Sequence, residues 1–325
     1  MKKVMRWGVV GASKFARTQM VPAMMLAQNT KFCALATSSS EKAAPFQAIE
    51  PDLKVYSDYD ALLADPEIDA LYIPLPNQLH VEWCKKGLAA GKHVLCEKPI
   101  AMRAEDINDL IACRDRSGLL LAEAYMIVHH PQWQYAKELY QSGAIGALVQ
   151  VDGVFSYNNS ADPNNIRNRP ETGGGSLPDI GVYTMGAARF VTEEEPVEIV
   201  DANITWQNDV DVWAAVNARF PSFHFNGTTS MRMAPRQEMN FHGTKGLIRL
   251  TAPFNPSVFS QAEVALHSAD MVVSTKRYPA ENHYVNQLQA FRASAFEGTP
   301  FSCPLEFSQG TQRMIDMALE KARGD

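Results

Sequence analysis

The 325-residue sequence has little cysteine, no strong excess of charge of one sign and no long apolar run, and each shortage removes a class of function. Its five cysteines (33, 84, 96, 113 and 303) form no Cys-x-x-Cys pair and no zinc spacing. Their number is odd, and Cys33 and Cys96 fall inside apolar strand-like runs. Buried, reduced thiols in a cytoplasmic protein are therefore expected, and no metal site. The formal net charge is −6, with no basic tail and no block of like charge. That argues against nucleic acid or an anionic membrane surface as a partner. No stretch approaches the roughly 18 apolar residues that a membrane span requires. The opening MKKVMRWGVVGA is broken by Arg6, and its apolar part falls short of a secretory h-region of roughly 7–15 residues.

What is present is the composition of a globular protein, 46% apolar and 20% charged, in a chain long enough for two domains. Up to residue 123, strand-like segments (Val4–Val10, Lys31–Thr37, Lys54–Tyr56, Asp69–Ile73, Lys92–Cys96, Leu119–Glu123) alternate with helix-like ones (15–27, 41–50, 58–64, 78–90, 104–117). Repeated β-α-β units of this length imply a parallel sheet with helices on both faces. Beyond it, a helix at 131–142 leads to a long strand at 147–158 and a helix near 177–192. Strands then dominate (197–206, 212–220, 223–232, 237–242, 246–250, 271–273), and helices at 282–297 and 305–322 close the chain. The fold class is therefore α/β: a dinucleotide-binding domain over 1–122, then an α+β domain over 123–325 on a mostly antiparallel sheet.

The turn Gly8-Val9-Val10-Gly11-Ala12-Ser13-Lys14-Phe15-Ala16 joins the first strand to the first helix. Aligned on G-x-G-x-x-G/A, Gly11 makes the tight turn, Ser13 stands at the second glycine and Ala16 allows close helix packing. A pyrophosphate would lie over the helix start, beside Ser13, Lys14, Phe15 and Ala16. NAD-selective sites place an acid at the end of the second strand. Here Thr37, Ser38, Ser39 and Lys42 occupy that stretch, with no Asp or Glu until Glu41, which favours NADP over NAD. A cap by Ser40 and Glu41 on the following helix would suit either cofactor.

Glu97-Lys98-Pro99 closes the apolar run His93–Cys96. Ligands of open α/β sheets lie beyond the carboxyl ends of the strands, so a strand ending in a cation aims it at cofactor or substrate. Asp179 and Tyr183 follow three glycines (173–175), and a spacing of four puts both on one helix face. Oxidising a secondary alcohol removes a hydride from carbon and a proton from oxygen. A phenol near pKa 10 becomes an effective proton carrier beside an ammonium, which Lys98 supplies. Asp179 then holds a substrate hydroxyl or orients the lysine. His129 and His130 have no third ligand at useful spacing, and His130 is expected to begin the helix after it.

With Pro74-Leu75-Pro76-Asn77-Gln78-Leu79-His80, Glu123-Ala124-Tyr125-Met126, His130-Pro131-Gln132 and Gly143-Ala144-Ile145-Gly146, these motifs make the chain resemble the Gfo/Idh/MocA oxidoreductases over nearly its whole length. The resemblance implies a Rossmann domain followed by an α/β domain whose large open sheet forms a homodimer or homotetramer interface. It implies that Lys98 is the catalytic-site lysine and that Asp179 matches the aspartate of the D-x-x-x-H motif. Tyr183 stands where most members carry histidine, which resembles the glucose–fructose oxidoreductase, dihydrodiol dehydrogenase and xylose dehydrogenase branch. By the same resemblance Pro74, Asn77 and His80 line the nicotinamide side, Glu97 contacts the cofactor, and Asn165 and Arg167 are candidates for binding substrate hydroxyls. Arg167 is equally placed to pair with an acid. The activity implied is NAD(P)-dependent hydride transfer on a sugar or cyclic polyol. A trans-dihydrodiol or keto-sugar reductase and a non-catalytic nucleotide-binding sensor are the alternatives.

Overall fold

The structure is a computed structural model that describes residues 2–324. The chain forms two compact units. One comprises the residues up to Ala101, Glu105–His129 and Asn282–Gln309; the other comprises Met102–Ala104, His130–Glu281 and the residues from Gly310. A single division at 122/123 does not describe this, because the chain changes unit at His130 and the helix His283–Glu297 returns to the first unit. Apolar pairing explains the return. Phe291 is fully buried with its ring 5.2 Å from that of Trp7, and Tyr284 meets Phe15 edge-on at 5.6 Å.

In the first unit β1 (Met5–Val10), β2 (Thr30–Ala36), β3 (Lys54–Tyr56), β4 (Ala70–Ile73), β5 (His93–Cys96) and β6 (Leu121–Glu123) form a parallel sheet. The order is β3-β2-β1-β4-β5-β6. Helices cover both faces of such a sheet, so its strands are continuous apolar runs; every residue of β4 is buried. The order reverses between β1 and β4, and the crevice beyond the carboxyl ends at such a switch point is where ligands bind. The expected cofactor residues all lie in the loops after β1, β2, β4 and β5 or in the first turns of the helices that follow them.

The second unit is built on eight strands: β7 (Leu148–Asn158), β8 (Glu198–Gln207), β9 (Val210–Arg219), β10 (His224–Ser230), β11 (Arg232–Gly243), β12 (Gly246–Leu250), β13 (Ala262–Ser268) and β14 (Val273–Tyr278). Their order is β14-β13-β12-β11-β7-β10-β9-β8. The β7–β10 pair is parallel and the other neighbours are antiparallel. The helix Val182–Thr192, apolar on most of its surface, packs on this sheet with every residue buried. Its one charge, Arg189, is paired with Glu195 at 2.8 Å and bonded to Thr311.

β13 was not expected. Its Ala-Glu-Val-Ala-Leu-His sequence favours helix locally, and pairing with β12 on one side and β14 on the other overrides that preference. The expected strand at 271–273 begins only at Val273, because Met271 has φ 66° in the preceding turn. Cys84, Cys96 and Cys303 are buried free thiols, and Cys33 and Cys113 are half-buried. Among the described residues no helix is long and apolar enough to cross a membrane.

The first unit depends on the returning helix. Phe291→Ala is expected to lower the unfolding free energy by about 3–5 kcal/mol in urea titration; a loss below about 1 kcal/mol would mean that the Trp7–Phe291 contact does not anchor it.

Candidate active site

The loops of the first unit meet the demands of a dinucleotide cradle. Gly11 has φ +101°, and a Cβ there would stand 2.8 Å from Leu75 Cδ2, so both conformation and space require glycine. Ser13 Oγ accepts from the Ala16 N–H at 3.0 Å, which caps the helix and leaves the hydroxyl proton to donate. That helix has a π-helical stretch at Ala16–Met20. Lys14 is exposed, Ala16 is buried, and the Phe15 ring is spent on Tyr284. After β2, Thr37 Oγ1 accepts from the Ser39 N–H at 3.3 Å, and Ser39 Oγ accepts from the Lys42 N–H at 3.2 Å. The cap of the helix Ser40–Gln47 is thus Ser39 itself, one residue before the expected position. Ser38 and Lys42 are exposed.

The loop after β5 is held from two sides. The Lys98–Pro99 peptide is cis. His80 Nδ1 lies 2.8 Å from the Pro99 carbonyl and Nε2 lies 2.8 Å from that of Leu75. From β6, Glu123 accepts the Ile100 N–H at 2.8 Å. His80 is fully buried with both ring nitrogens on backbone, so its expected place against the cofactor is corrected. Its ring ties the loop after β4 to the loop after β5. Burial pushes its pKa down, although both carbonyls favour the protonated ring. Glu97 receives the Tyr72 hydroxyl at 2.5 Å, which fixes its carboxylate beside the loop. Tyr72 is fully buried in β4, and neither burial nor the Glu97 charge lets it ionise: its pKa is driven far up. Pro74 and Asn77 are half-buried in the loop after β4.

In the second unit, Asp179 and Tyr183 lie on one continuous helical run, whose first turn Leu177–Gly181 is π-helical. The run is positioned from below. Asp211 Oδ2 accepts from Leu177 N at 2.7 Å and from Ser176 Oγ at 2.8 Å, serving as a cap supplied by β9. Gly175 has φ +140°, and a Cβ there would stand 2.0 Å from Asp211 Oδ1. Only glycine lets the cap approach. Tyr183 is buried against Phe155 and Phe254, with ring centroids 5.7 Å away in each case.

Asp179 is buried and carries a donor on each oxygen. Arg167 Nε lies 2.9 Å from Oδ1, and the Tyr157 hydroxyl donates to Oδ2 at 2.6 Å. Arg167 therefore pairs with an acid, and that acid is Asp179. The Asp179 charge raises its pKa. Burial, then the Asp179 charge, raises that of Tyr157. Asn165, a candidate for substrate hydroxyls, is half-buried; its Oδ1 accepts from Arg167 N at 3.1 Å and its Nδ2 donates to Asp162 at 3.2 Å, bonds that shape its loop. The same loop is tied down by Arg232, which bonds Asn159 at 2.7 Å and Asn168 at 3.1 Å. Lys98 belongs to the first unit and Asp179 and Tyr183 to the second.

His130 caps the helix Pro131–Gln141, as expected, by accepting the Gln132 N–H at 3.1 Å. Burial pushes its pKa down to about 4, which keeps that nitrogen an acceptor. Among the described residues no group of three or more His, Cys, Asp or Glu is placed to hold a metal ion.

A family model described as an oxidoreductase family with an NAD-binding Rossmann fold matches residues 5–125, and a GFO/IDH/MocA C-terminal domain model matches 133–249. The chain is 35% identical to an uncharacterized oxidoreductase of Rhizobium meliloti, across 96% of this chain and 95% of that one. It is 33% identical to a dTDP-3,4-didehydro-2,6-dideoxy-alpha-D-glucose 3-reductase of Saccharopolyspora spinosa, across 98% and 96%. Among solved structures it is similar to a 3-ketoreductase of Actinomadura kijaniata in complex with NADP and TDP-benzene. That match has a TM-score of 0.89, 28% identity and 98% coverage of each chain.

Two measurements test this geometry. His80→Ala is expected to cost about 2–4 kcal/mol in urea unfolding, from the cavity and the lost tie between loops; an unchanged midpoint would show that the ring is no strut. Burial raises the Asp211 carboxyl to about 6, above the ordinary aspartate value of about 3.9. Between these values the folded chain binds more protons than the unfolded one, so this residue's contribution to stability falls as pH rises through that window. Asp211→Asn keeps an acceptor oxygen without the titration. The melting temperature of the wild type relative to this variant should therefore rise as pH falls from 7 to 5, and a pH-independent difference would refute the shift.

Proposed function

The chain belongs to the GFO/IDH/MocA oxidoreductase family, and from that premise we propose that it transfers a hydride between NADP and the carbonyl or carbinol carbon of a sugar. Lys98 and Tyr183 handle the proton in this reading, and Asp179 positions the substrate. The observation that carries it is a phenol and an ion-paired carboxylate four residues apart on one buried helix. A family with a nicotinamide fold and a relative that reduces a keto-sugar supports the substrate class.

The residues present fit the cofactor. Gly11 must be glycine, and Ser13 and the helix start offer N–H and hydroxyl donors to a pyrophosphate. Thr37, Ser38, Ser39 and Lys42 stand where an NAD site would carry an acid, and the exposed Ser38 hydroxyl and Lys42 ammonium suit a 2′-phosphate. Lys14, Pro74, Asn77 and Glu97 complete the set proposed to surround it. When bound, the nicotinamide supplies or accepts the hydride.

In reduction, Lys98 donates a hydrogen bond to the substrate carbonyl oxygen and stabilises the charge that develops there. Tyr183 gives its phenolic proton to that oxygen, and the phenolate then recovers a proton from solvent. In oxidation, the same phenolate removes the alcohol proton. Asp179 accepts a neighbouring substrate hydroxyl in this reading, since a carboxylate oxygen takes more than one donor. Phe155 and Phe254 enclose the Tyr183 ring and keep it in one orientation. The proposed assembly is a homodimer or homotetramer formed through the large sheet.

A panel of keto-sugars, aldoses and trans-dihydrodiols assayed with NADPH or NADP tests the reading. Lys98→Ala and Tyr183→Phe are each expected to lower kcat about 10²–10⁴-fold while NADPH still binds. NADPH binding with no turnover by the wild type on any substrate would instead favour a nucleotide-binding sensor.

A further inference from the structure

Tyr157 is the last residue of β7 that faces the helix carrying Asp179 and Tyr183. Along a strand, residues two apart share a face. Gly153, Phe155 and Tyr157 are such a set: a Cβ at Gly153 would lie 3.1 Å from Thr184 Cβ, and Phe155 packs on Tyr183. The third member presents a hydroxyl, and that hydroxyl lies 2.6 Å from Asp179 Oδ2. Arg167 takes the other oxygen at 2.9 Å.

A carboxylate buried beside apolar rings is costly unless paired, and it turns about its Cβ–Cγ bond unless both oxygens are engaged. Arg167 brings the positive charge to Oδ1, and Tyr157 holds Oδ2 by a hydrogen bond. Together they set the carboxylate's ionisation and its plane. The Arg167 guanidinium is also within electrostatic reach of Tyr183, which becomes anionic once the phenol has given up its proton. Removing the guanidinium would set like charges against each other.

We propose that Tyr157 and Arg167 are positioning residues of the catalytic centre, clamping Asp179 in one orientation so that it meets the substrate already aimed. The inference rests on the reading of Asp179 and Tyr183 given above. Tyr157 touches neither cofactor nor reacting atoms in this scheme; it acts through Asp179.

The test is a double-mutant cycle on the full-length protein, with whichever keto-sugar or aldose the wild type turns over. Tyr157→Phe should lower kcat about 10–100-fold, the loss of one hydrogen bond to a charged group, with little change in KM, NADPH affinity or melting temperature. In an Asp179→Asn background the same substitution should have no further effect, because the group it positions is gone. Arg167→Lys should retain more activity than Arg167→Met, since it keeps the charge. A Tyr157→Phe variant with wild-type kcat would overturn the inference. So would an effect of Tyr157→Phe that multiplies with that of Asp179→Asn, or a loss that tracks a fall in melting temperature. If the wild type turns over nothing, the catalytic reading fails and takes this one with it; if the wild type is active and the cycle is additive, only the clamp fails.

Discussion

Burying ionised carboxylates is the constraint on which both halves of this chain are organised. An unpaired buried charge is expensive, and the cost is met here by donors brought in from other elements. Half-buried Glu97 accepts from Tyr72 on the neighbouring strand β4, and buried Glu123 accepts from the Ile100 N–H across the loop. Asp211 is met by Ser176 and the Leu177 N–H, and Asp179 by Arg167 and Tyr157. Each arrangement does two things at once. It satisfies the carboxylate oxygens, and it fixes a backbone segment that carries a proposed site residue: the Lys98 loop in the first unit, the Asp179–Tyr183 helix in the second.

Close backbone approach is the second requirement, and glycine provides it at two points. At Gly11 a side chain would strike Leu75, and at Gly175 it would strike Asp211. The first opens the cradle at the start of the parallel sheet. The second lets a carboxylate on β9 reach the start of a helix far from it in sequence. Their shared feature is a backbone with φ above +100°, a region closed to other residues.

Much of this was legible in the residue pattern. Alternation of apolar strands and amphipathic helices announced the parallel sheet, and Gly11, Lys98, Asp179 and Tyr183 were singled out by turn chemistry, strand ends and helical spacing. What was missed had no local signal. Tyr157 sits in a strand of alternating polar and apolar residues, and its proposed role depends on Asp179, 22 positions on. His80 looked like a loop residue facing a ligand, because nothing nearby shows that two backbone carbonyls close over its ring. β13 carried helix-forming residues and became a strand because two partners were waiting for its backbone.

Residue order alone is enough to place the strands of the nucleotide half, the glycine turn after β1, and the lysine, aspartate and tyrosine proposed for the active site. Those features depend on periodicity and short-range geometry, which a linear pattern records. Packing in three dimensions sets which partner each buried charge receives, that Arg167 pairs with Asp179 while the Asn165 side chain bonds within its own loop, and that the chain returns at Asn282 to complete its first unit. The physical reason is that desolvated charges and apolar faces are satisfied by whatever lies nearest in space, and nearness in space is set by packing rather than by spacing along the chain.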